Sequence, residues 1–576
     1  MAISTVEEDC SESSTEIPLL EERSSVIEGV VNYNGEKVIN RTKYGGWKSA
    51  SFIIGVEIAE RFAYYGISSN LITYLTGPLH QSTVVAAENV NIWSGVASLL
   101  PLLGAFVADS YLGRFRTILF SSLLYLLGLG LLTMSASLVT LTDCEKDTSC
   151  SSSNLQVIFF FSSLYLVAIA QGGHKPCVQA FGADQFDRHD PEEFKSKSSF
   201  FNWWYFGVYG GTAVSLSFLN YIQDNLNWVL GFGIPLVSMA IALVIFLLGM
   251  RSYRYSFTDD KRSPIVRVGQ VFVVAARNWR VTTPALDEEG YQMTLNRVGS
   301  HQFRFLHKAL IPTTGDSGCD QNGCSITQVE EAKVVLRLVP IWIACLMYAV
   351  VFAQSSTFFT KQGSTMDRSI GSNFEIPAAS LQTLISLSIV LFIPIYDRVL
   401  VPIGRVVTGK PSGITMLQRI GCGMFISVVS MVVAAIIEKK RLQTAIDFGL
   451  IDMPKATIPM SVWWLAPQYV LFGISDVFTM VGLQEFFYDQ VPDGLRSVGL
   501  SLYLSIFGIG HFLSGFLISV IENVTGGSGQ DSWFPNNLNR AHLDYYYWLL
   551  AGFCIIEFAA YLYFSKSYLY NTGASK

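Results

Sequence analysis

The chain has 576 residues, half of them hydrophobic and 15% charged, with a formal net charge of −6 and a mean hydropathy of +0.38. A soluble globular protein carries about 25% charged residues, so a soluble fold is excluded and a polytopic membrane protein with the lipid bilayer as a partner is expected. No basic surplus points to nucleic acid, and nine cysteines in so long a chain are not the framework of a small secreted domain.

Residues 1–45 are polar and acidic without an early apolar run, and read as a disordered cytosolic tail that lacks a cleavable signal. Within it, Glu16-Ile17-Pro18-Leu19-Leu20 has the form of an acidic dileucine sorting string. Apolar stretches then recur around 50–76, 88–110, 116–141, 155–178, 200–222 and 228–250. They resume around 334–357, 375–396, 413–437, 460–486, 497–521 and 544–566. Each is long enough to cross a bilayer, which takes about 20 residues. The expected fold is an all-α membrane protein with twelve transmembrane helices in two six-helix bundles. The bundles occupy 46–250 and 334–566, a cytosolic linker fills 251–333, and 567–576 form a cytosolic C-terminal tail. Two such halves place a substrate site at their interface, near mid-membrane.

Positive residues mark the cytoplasmic side. Arg114 and Arg116 follow the second stretch, Arg188, Lys195 and Lys197 the fourth, and Arg251 and Arg254 the sixth. Arg398 and Arg405 follow the eighth and Arg496 the tenth. Both termini are therefore expected in the cytosol, against which only Lys439, Lys440 and Arg441 weigh. In the linker, Pro264 to Asn278 reads as an amphipathic helix, lying on the membrane surface or simply covered by protein.

The first apolar stretch carries Glu57, Glu60 and Arg61 at mid-length. Each charge there costs about 2.5–3.5 kcal/mol to insert. The spacing i, i+3, i+4 places all three on one helix face, which must meet protein or water. A site that handles protons or ions is the default reading, with a structural salt-bridge cluster as the alternative. Lys175 lies in the fourth stretch, Asp476 and Glu485 in the tenth, His511 in the eleventh and Glu557 in the twelfth. Desolvation disfavours the charged form of any of these groups left unpaired. A Lys175–Asp476 pair across the halves, broken by protonation or substrate, would switch the two bundles. His511 reads as a satisfied core histidine, Glu557 as a structural or snorkelling charge, and Glu485 as a brace for an intracellular gate. No nucleophile–base pair, metal cluster or phosphate-binding loop stands out, so neither an enzyme nor a cofactor or metal is expected.

Glu57-x-x-Glu60-Arg61, followed by Phe62, Tyr64, Tyr65 and Gly66, resembles the ExxER motif of proton-dependent oligopeptide transporters. LLGAFVADSYLGRFRT, with Asp109, Gly113, Arg114 and Arg116, resembles the helix two to three loop of the major facilitator superfamily. GGHKP, FGADQFD, FFNWWYFGVYGG, ITQVEEAK and VGLQEFFYDQVP resemble signatures of the plant nitrate/peptide transporter family, in order, over residues 45 to 566. The resemblance implies a major facilitator fold and proton-coupled symport of a small anionic or zwitterionic solute, nitrate or a di/tripeptide. By that resemblance Glu57 and Glu60 handle protons, and Arg61 and Lys175 contact the substrate's negative end. Tyr64, Tyr65, Phe352 and Gln354 line its pocket, and Asp109, Arg114, Arg116 and Glu485 serve gating. Asp476 stands where peptide transporters place a longer glutamate, and Phe352 where a nitrate transporter has a histidine. These departures favour, as an alternative, a carrier of larger organic acids such as plant hormones, and the dileucine-like string favours a vacuolar-membrane facilitator. A non-transporting membrane sensor is the reading from another class. The membrane is the plasma membrane or the vacuolar membrane.

Three modification sites complete the reading. Thr117 matches a family position where phosphorylation tunes affinity, which would make a kinase a partner. Cys144 and Cys150 share one short loop and would pair in an oxidising compartment. Asn523-Val524-Thr525 is a glycan acceptor in the last outer loop.

Overall fold

The computed structural model describes residues 27, 29–39, 43–141, 154–187, 190–256, 264–280, 303–310, 324–371, 374–409, 414–492, 495–526 and 532–568. The dileucine string, Arg188, Cys144 and Cys150 lie outside them. The first half holds α1 (Gly46–Ser68), α2 (Leu71–Thr76), α3 (Thr83–Val107), α4 (Arg114–Leu141), α5 (Asn154–Ala183), α6 (Pro191–Val214), α7 (Asn220–Asn225) and α8 (Trp228–Gly249). The linker contributes α9 (Pro264–Arg277). The second half holds α10 (Ile326–Ile343), α11 (Leu346–Gln354), α12 (Phe358–Ser364), α13 (Thr383–Ile395) and α14 (Val401–Thr408), then α15 (Met416–Asp447), α16 (Ala466–Asp489), α17 (Arg496–Thr525) and α18 (Leu543–Ser567).

Among the described residues, nine helices are long and apolar enough to cross a membrane, and a tenth span arises if α10 and the residues from Leu346 to Ser364 act as one. The remaining two expected spans are helical but fall short of that test. α1 carries Lys48, Glu57, Glu60 and Arg61, and α6 opens on Glu192 and Glu193. Charge in α1, and the low hydropathy of the Asn-, Trp-, Tyr- and Gly-bearing α6, separate the observed count from twelve; length does not.

The tenth span bends by 48° between Ile343 and Leu346. Inside a bilayer the backbone groups freed at such a break need protein partners. Glu557 of α18 supplies them. Its carboxylate accepts from the backbone N–H groups of Met347 and of Tyr348, the latter at 3.1 Å. A negative group at a helix N-terminus also meets the favourable end of the helix dipole. Glu557 is thus a structural charge, and its anchor fixes where α11 starts.

One expectation about the N-terminal tail is corrected. Part of the tail is ordered. Val30–Val31 pairs antiparallel with Tyr255–Ser256, Ile27 N–H donates to Val38 O at 3.1 Å, and Ile27 and Val38 are buried. The turn between them closes because Asn32 Oδ1 accepts the amides of Asn34 and Glu36, and Gly35 takes a positive φ. In the basic run after the ninth stretch, Lys439 and Lys440 are exposed while Arg441 is held inside the fold. Arg441 is fully buried, forks onto Glu438 at 2.6 and 2.8 Å, and donates to Leu538 O, while the Lys440 ammonium lies 3.3 Å from the Trp464 ring centroid.

α9 is a covered linker helix on one face. Val268, Val271 and Ala275 are buried in one cluster with Leu306, Ala309, Val329 and Ala332, while Val266 and Val273 stay exposed.

Polar contacts between the halves gather at the end where α2 meets α12. Lys361 donates to Thr76 Oγ1 at 3.1 Å, Gln382 to Ser69 O at 3.0 Å and Ser380 to Leu216 O at 2.8 Å. Thr83 N–H donates to Asn536 at 3.1 Å, and Ser519 to Glu88. At the basic-loop end, Gln484 donates to Tyr205 Oη at 3.1 Å.

Candidate functional site

The site begins on α1. Glu57 and Arg61 are 4% exposed and Glu60 is fully buried. The Arg61 Nε lies 3.1 Å from Glu57 Oε1, and its Nη2 pairs with Glu60. One guanidinium therefore holds two carboxylates. An unpaired charge at this depth would be prohibitive, and a paired one is tolerated. The trio is almost closed to solvent, so Arg61 in this state lies behind the surface that a solute can reach. The guanidinium lies 5.8 Å from the ring centroid of Tyr64, which stacks on Trp93 at 5.7 Å. Tyr64 and Tyr65 are partly exposed and form the layer in front of the trio.

Lys175 comes from α5. It keeps accessible surface and has no carboxylate within 4 Å among the described residues, although Glu57 and Glu60 are near enough to act on it electrostatically. The expected pairing with Asp476 is not made in this conformation. Asp476, on α16, accepts instead from the Tyr348 hydroxyl of α11, within its own half. The physical reason is proximity: the α18 anchor on α11 fixes Tyr348 beside Asp476, so the carboxylate is satisfied without crossing the interface.

Phe352 lies in an aromatic cluster, with ring centroids 5.3 Å from Phe507, 6.0 Å from Phe472 and 6.1 Å from His511. Gln354 is fully buried and donates to Val350 O at 2.9 Å and Ser514 Oγ at 3.2 Å. Asn91 of α3 also donates to Ser514 at 3.2 Å, and its oxygen lies 3.4 Å from His511 Nδ1. Gln354 and His511 therefore belong to a polar bridge between the halves. For His511 this is the satisfied core role. For Gln354 it replaces a pocket-lining one.

The gating candidates lie toward the basic-loop end. Asp109 occupies a π-helical turn, Ala108–Leu112, and a second such turn, Tyr396–Leu400, follows α13 in the other half. Single π turns in a helix often mark functional positions. Arg114 pairs with Asp184 at the end of α5, and Arg116 is exposed. Glu485 lies 3.3 Å from Arg419 of α15, a brace inside the second half.

Thr117 is 4% exposed, and its hydroxyl donates to Gly113 O at 2.9 Å. A kinase would need it exposed and extended, and this conformation offers neither. Asn523 is exposed but lies in the last turn of α17, with Thr525 bonded to Ile521 O, so the acceptor sequence is helical and not a loop.

Sequence reasoning passed over two residues that the fold brings in. Tyr348 is one. The other is His174, the neighbour of Lys175 in GGHKP. It is fully buried, and neither ring nitrogen has a hydrogen-bond partner among the described residues. Its nitrogen and carboxylate oxygens of Glu57 and Glu60 lie within 4.8 Å of one another. Gly173 and Gly104 permit this, because side chains there would collide with Ser121 and with the Gly172 backbone. The His174-Lys175 pair in GGHKP was a signal, overshadowed by the lysine.

The model of the POT family matches residues 115–534. NRT1/PTR FAMILY 5.10 of Arabidopsis thaliana is 65% identical over 94% of this chain and 96% of its own length, and NRT1/PTR FAMILY 5.12 of the same plant is 55% identical over 95% and 96%. Among solved structures, an auto-inhibited POT family peptide transporter superposes with a TM-score of 0.68 at 21% identity, over 92% of this chain and 99% of that one. The fold is that of these multi-pass membrane carriers, no enzyme family is involved, and this chain belongs to the POT family of transporters.

Proposed function

We propose that the chain is a proton-coupled symporter of a small anionic or zwitterionic solute, nitrate or a di- or tripeptide. The observation that carries this is the contrast between two neighbouring cations. Arg61 is held by Glu57 and Glu60, while Lys175 beside them keeps accessible surface and no close carboxylate. A proton arriving on either glutamate weakens the hold on Arg61. The freed guanidinium and the Lys175 ammonium then offer charge-assisted donors to one anionic group. Proton and solute bind together because each removes a charge that opposes the other. A proton moving down about 100 mV gains about 2.3 kcal/mol, roughly fiftyfold in concentration ratio.

The basic loops favour cytosolic termini, with the contact-rich end where α2 meets α12 on the other side of the membrane. This arrangement suits a state closed to the outside.

The aromatic cluster around Phe352 favours a second reading, a carrier of larger organic acids. Such rings give apolar area to a ring-bearing body and no donor to nitrate.

The deciding experiment is an uptake panel in oocytes, with nitrate, di- and tripeptides and aromatic organic acids, at acidic and near-neutral external pH. Acid-stimulated, current-generating uptake of one class supports the symporter and names the solute. Binding without uptake would make the protein a sensor. Lys175→Ala should reduce uptake of the solute found by about tenfold or more, the worth of one charge-assisted bond. Uptake at the level of the unmodified chain would remove Lys175 from the site.

A further inference from the structure

We propose that His174 is a third member of the proton site: when Arg61 turns toward solute, its ring nitrogen takes over as the hydrogen-bond partner of the protonated Glu57–Glu60 pair. The inference rests on the proton-coupled reading above and adds the group that holds the proton while Arg61 is away.

The starting point is an imbalance. His174 is fully buried and both ring nitrogens lack a hydrogen-bond partner among the described residues. A buried polar group without one costs about 1–3 kcal/mol, and such groups in a native fold call for an explanation. The groups around it come from three helices. From α1 they are Glu57, Glu60 and Arg61, from α4 the ring of Tyr125 at 6.5 Å, and on α5 itself Lys175. α3, packed on the same helix, brings its one carboxylate, Glu88, far along its length, where it bonds Ser519.

Arg61 presently forms ion pairs with both carboxylates, but Glu57 Oε2 and both Glu60 oxygens lack a well-aligned hydrogen bond among the described residues, as do both nitrogens of the imidazole. Its nitrogen stands within 4.8 Å of carboxylate oxygens, one small side-chain movement from a hydrogen bond. Arg61 also supplies the positive charge that a metal ion would bring, so the trio of ligand-type side chains needs no cation. Once Arg61 leaves, a protonated glutamate has an O–H to donate, and His174 is the neutral acceptor in reach. The proton comes from the aqueous phase, is shared along the carboxyl–imidazole hydrogen bond and returns to water when Arg61 swings back. No other bond is made or broken. The buried pair is then never left without a partner in either state, which lowers the barrier to releasing Arg61.

Infrared difference spectra of the purified full chain in lipid nanodiscs, recorded while pH is stepped, read this without a known solute. The carboxyl C=O band is assigned by its loss in Glu57→Gln or Glu60→Gln. If neither variant removes a band, the proton reading fails, and this inference with it. In His174→Met, similar in size but without ring nitrogens, the band should need about a tenfold higher proton concentration to appear, whereas His174→Gln, which keeps an acceptor, should restore most of the difference. An unchanged midpoint in His174→Met overturns the role of His174 and leaves the glutamate reading standing. Should that variant not fold, the unmodified chain with nitrogen-15 histidine decides. An isotope-shifted imidazole band must change together with the carboxyl band, and its absence overturns the proposal.

Discussion

The hydroxyl of Tyr348 donates to the carboxylate of Asp476, joining two helices of the same half at the depth of the central site. Both groups are buried, and the bond leaves Asp476 no need of Lys175 across the interface. Among the described residues, no ion pair therefore locks the two halves at mid-membrane in this state. What joins them is the hydrogen bonds at the α2–α12 end, the Asn91–Ser514–Gln354 bridge and, at the basic-loop end, the Gln484–Tyr205 contact. Single hydrogen bonds of this kind exchange at lower cost than a buried ion pair, whose rupture exposes two charges to low dielectric.

Removing one oxygen tests the Tyr348 contact. Tyr348→Phe leaves Asp476 without its donor and should cost about 1–3 kcal/mol, seen as a lower thermal unfolding midpoint in nanodiscs. Adding Asp476→Asn removes the orphaned charge and should recover most of that loss, since the two residues share one interaction. Full additivity of the two losses would mean that the contact is not energetically coupled.

Glu60→Gln should abolish acid-driven accumulation while the protein still reaches the membrane. The amide keeps the shape and can still accept from Arg61, but it cannot carry a proton. Accumulation should fall toward the passive limit, a loss of up to about fiftyfold at about 100 mV. Exchange of solute between equal pools needs no net proton movement and should survive. A preserved pH-driven gradient in Glu60→Gln, measured by radiolabelled uptake at two external pH values, would take the proton role away from this residue.

Much of this site was legible in the sequence, for a definite reason. Charges within apolar stretches are expensive, so Glu57, Glu60, Arg61, Lys175 and Asp476 announce themselves by position alone. The helices follow from length and hydropathy, and their two equal groups from the polar interval between them. What pattern does not encode is partner choice, which depends on how each helix is rotated. In the apolar stretch around Ala344, Pro340 hints at a bend, but the acceptor for the freed N–H groups, Glu557 of α18, comes from a distant helix that the pattern does not point to. The Arg441–Glu438 fork reads as three loose cations in sequence because burial is invisible there. Histidine 174 was hidden by the opposite effect: an uncharged imidazole raises no alarm in a membrane segment, and its importance comes from the two glutamates that another helix places beside it.

Phe352→His probes the reach of the solute. An imidazole in place of the phenyl ring adds a donor within the aromatic cluster, 5–6 Å from the neighbouring rings in the parent arrangement. A hydrogen bond to an anion is worth about 1.5–3 kcal/mol, so nitrate uptake at low concentration should rise by about tenfold, while uptake of ring-bearing organic acids should fall with the lost apolar surface. If neither changes, Phe352 does not face the transported solute and the cluster is packing alone.

Glu557 should prove indispensable to the shape of the site without touching solute. Glu557→Ala strips the N–H groups of Met347 and Tyr348 of their acceptor in a region with no water to replace it. The two lost bonds to a charged group predict about 3 kcal/mol or more of destabilisation. Glu557→Gln retains a carbonyl oxygen that can accept one or both N–H groups, so its loss should be less than half as large. Because α11 carries both Tyr348 and Phe352, Glu557→Gln should also shift the apparent affinity for solute while leaving the pH dependence of uptake in place, as Glu557 lies in the other half from Glu57 and Glu60. A changed pH profile in Glu557→Gln would instead enter this carboxylate among the proton-carrying groups.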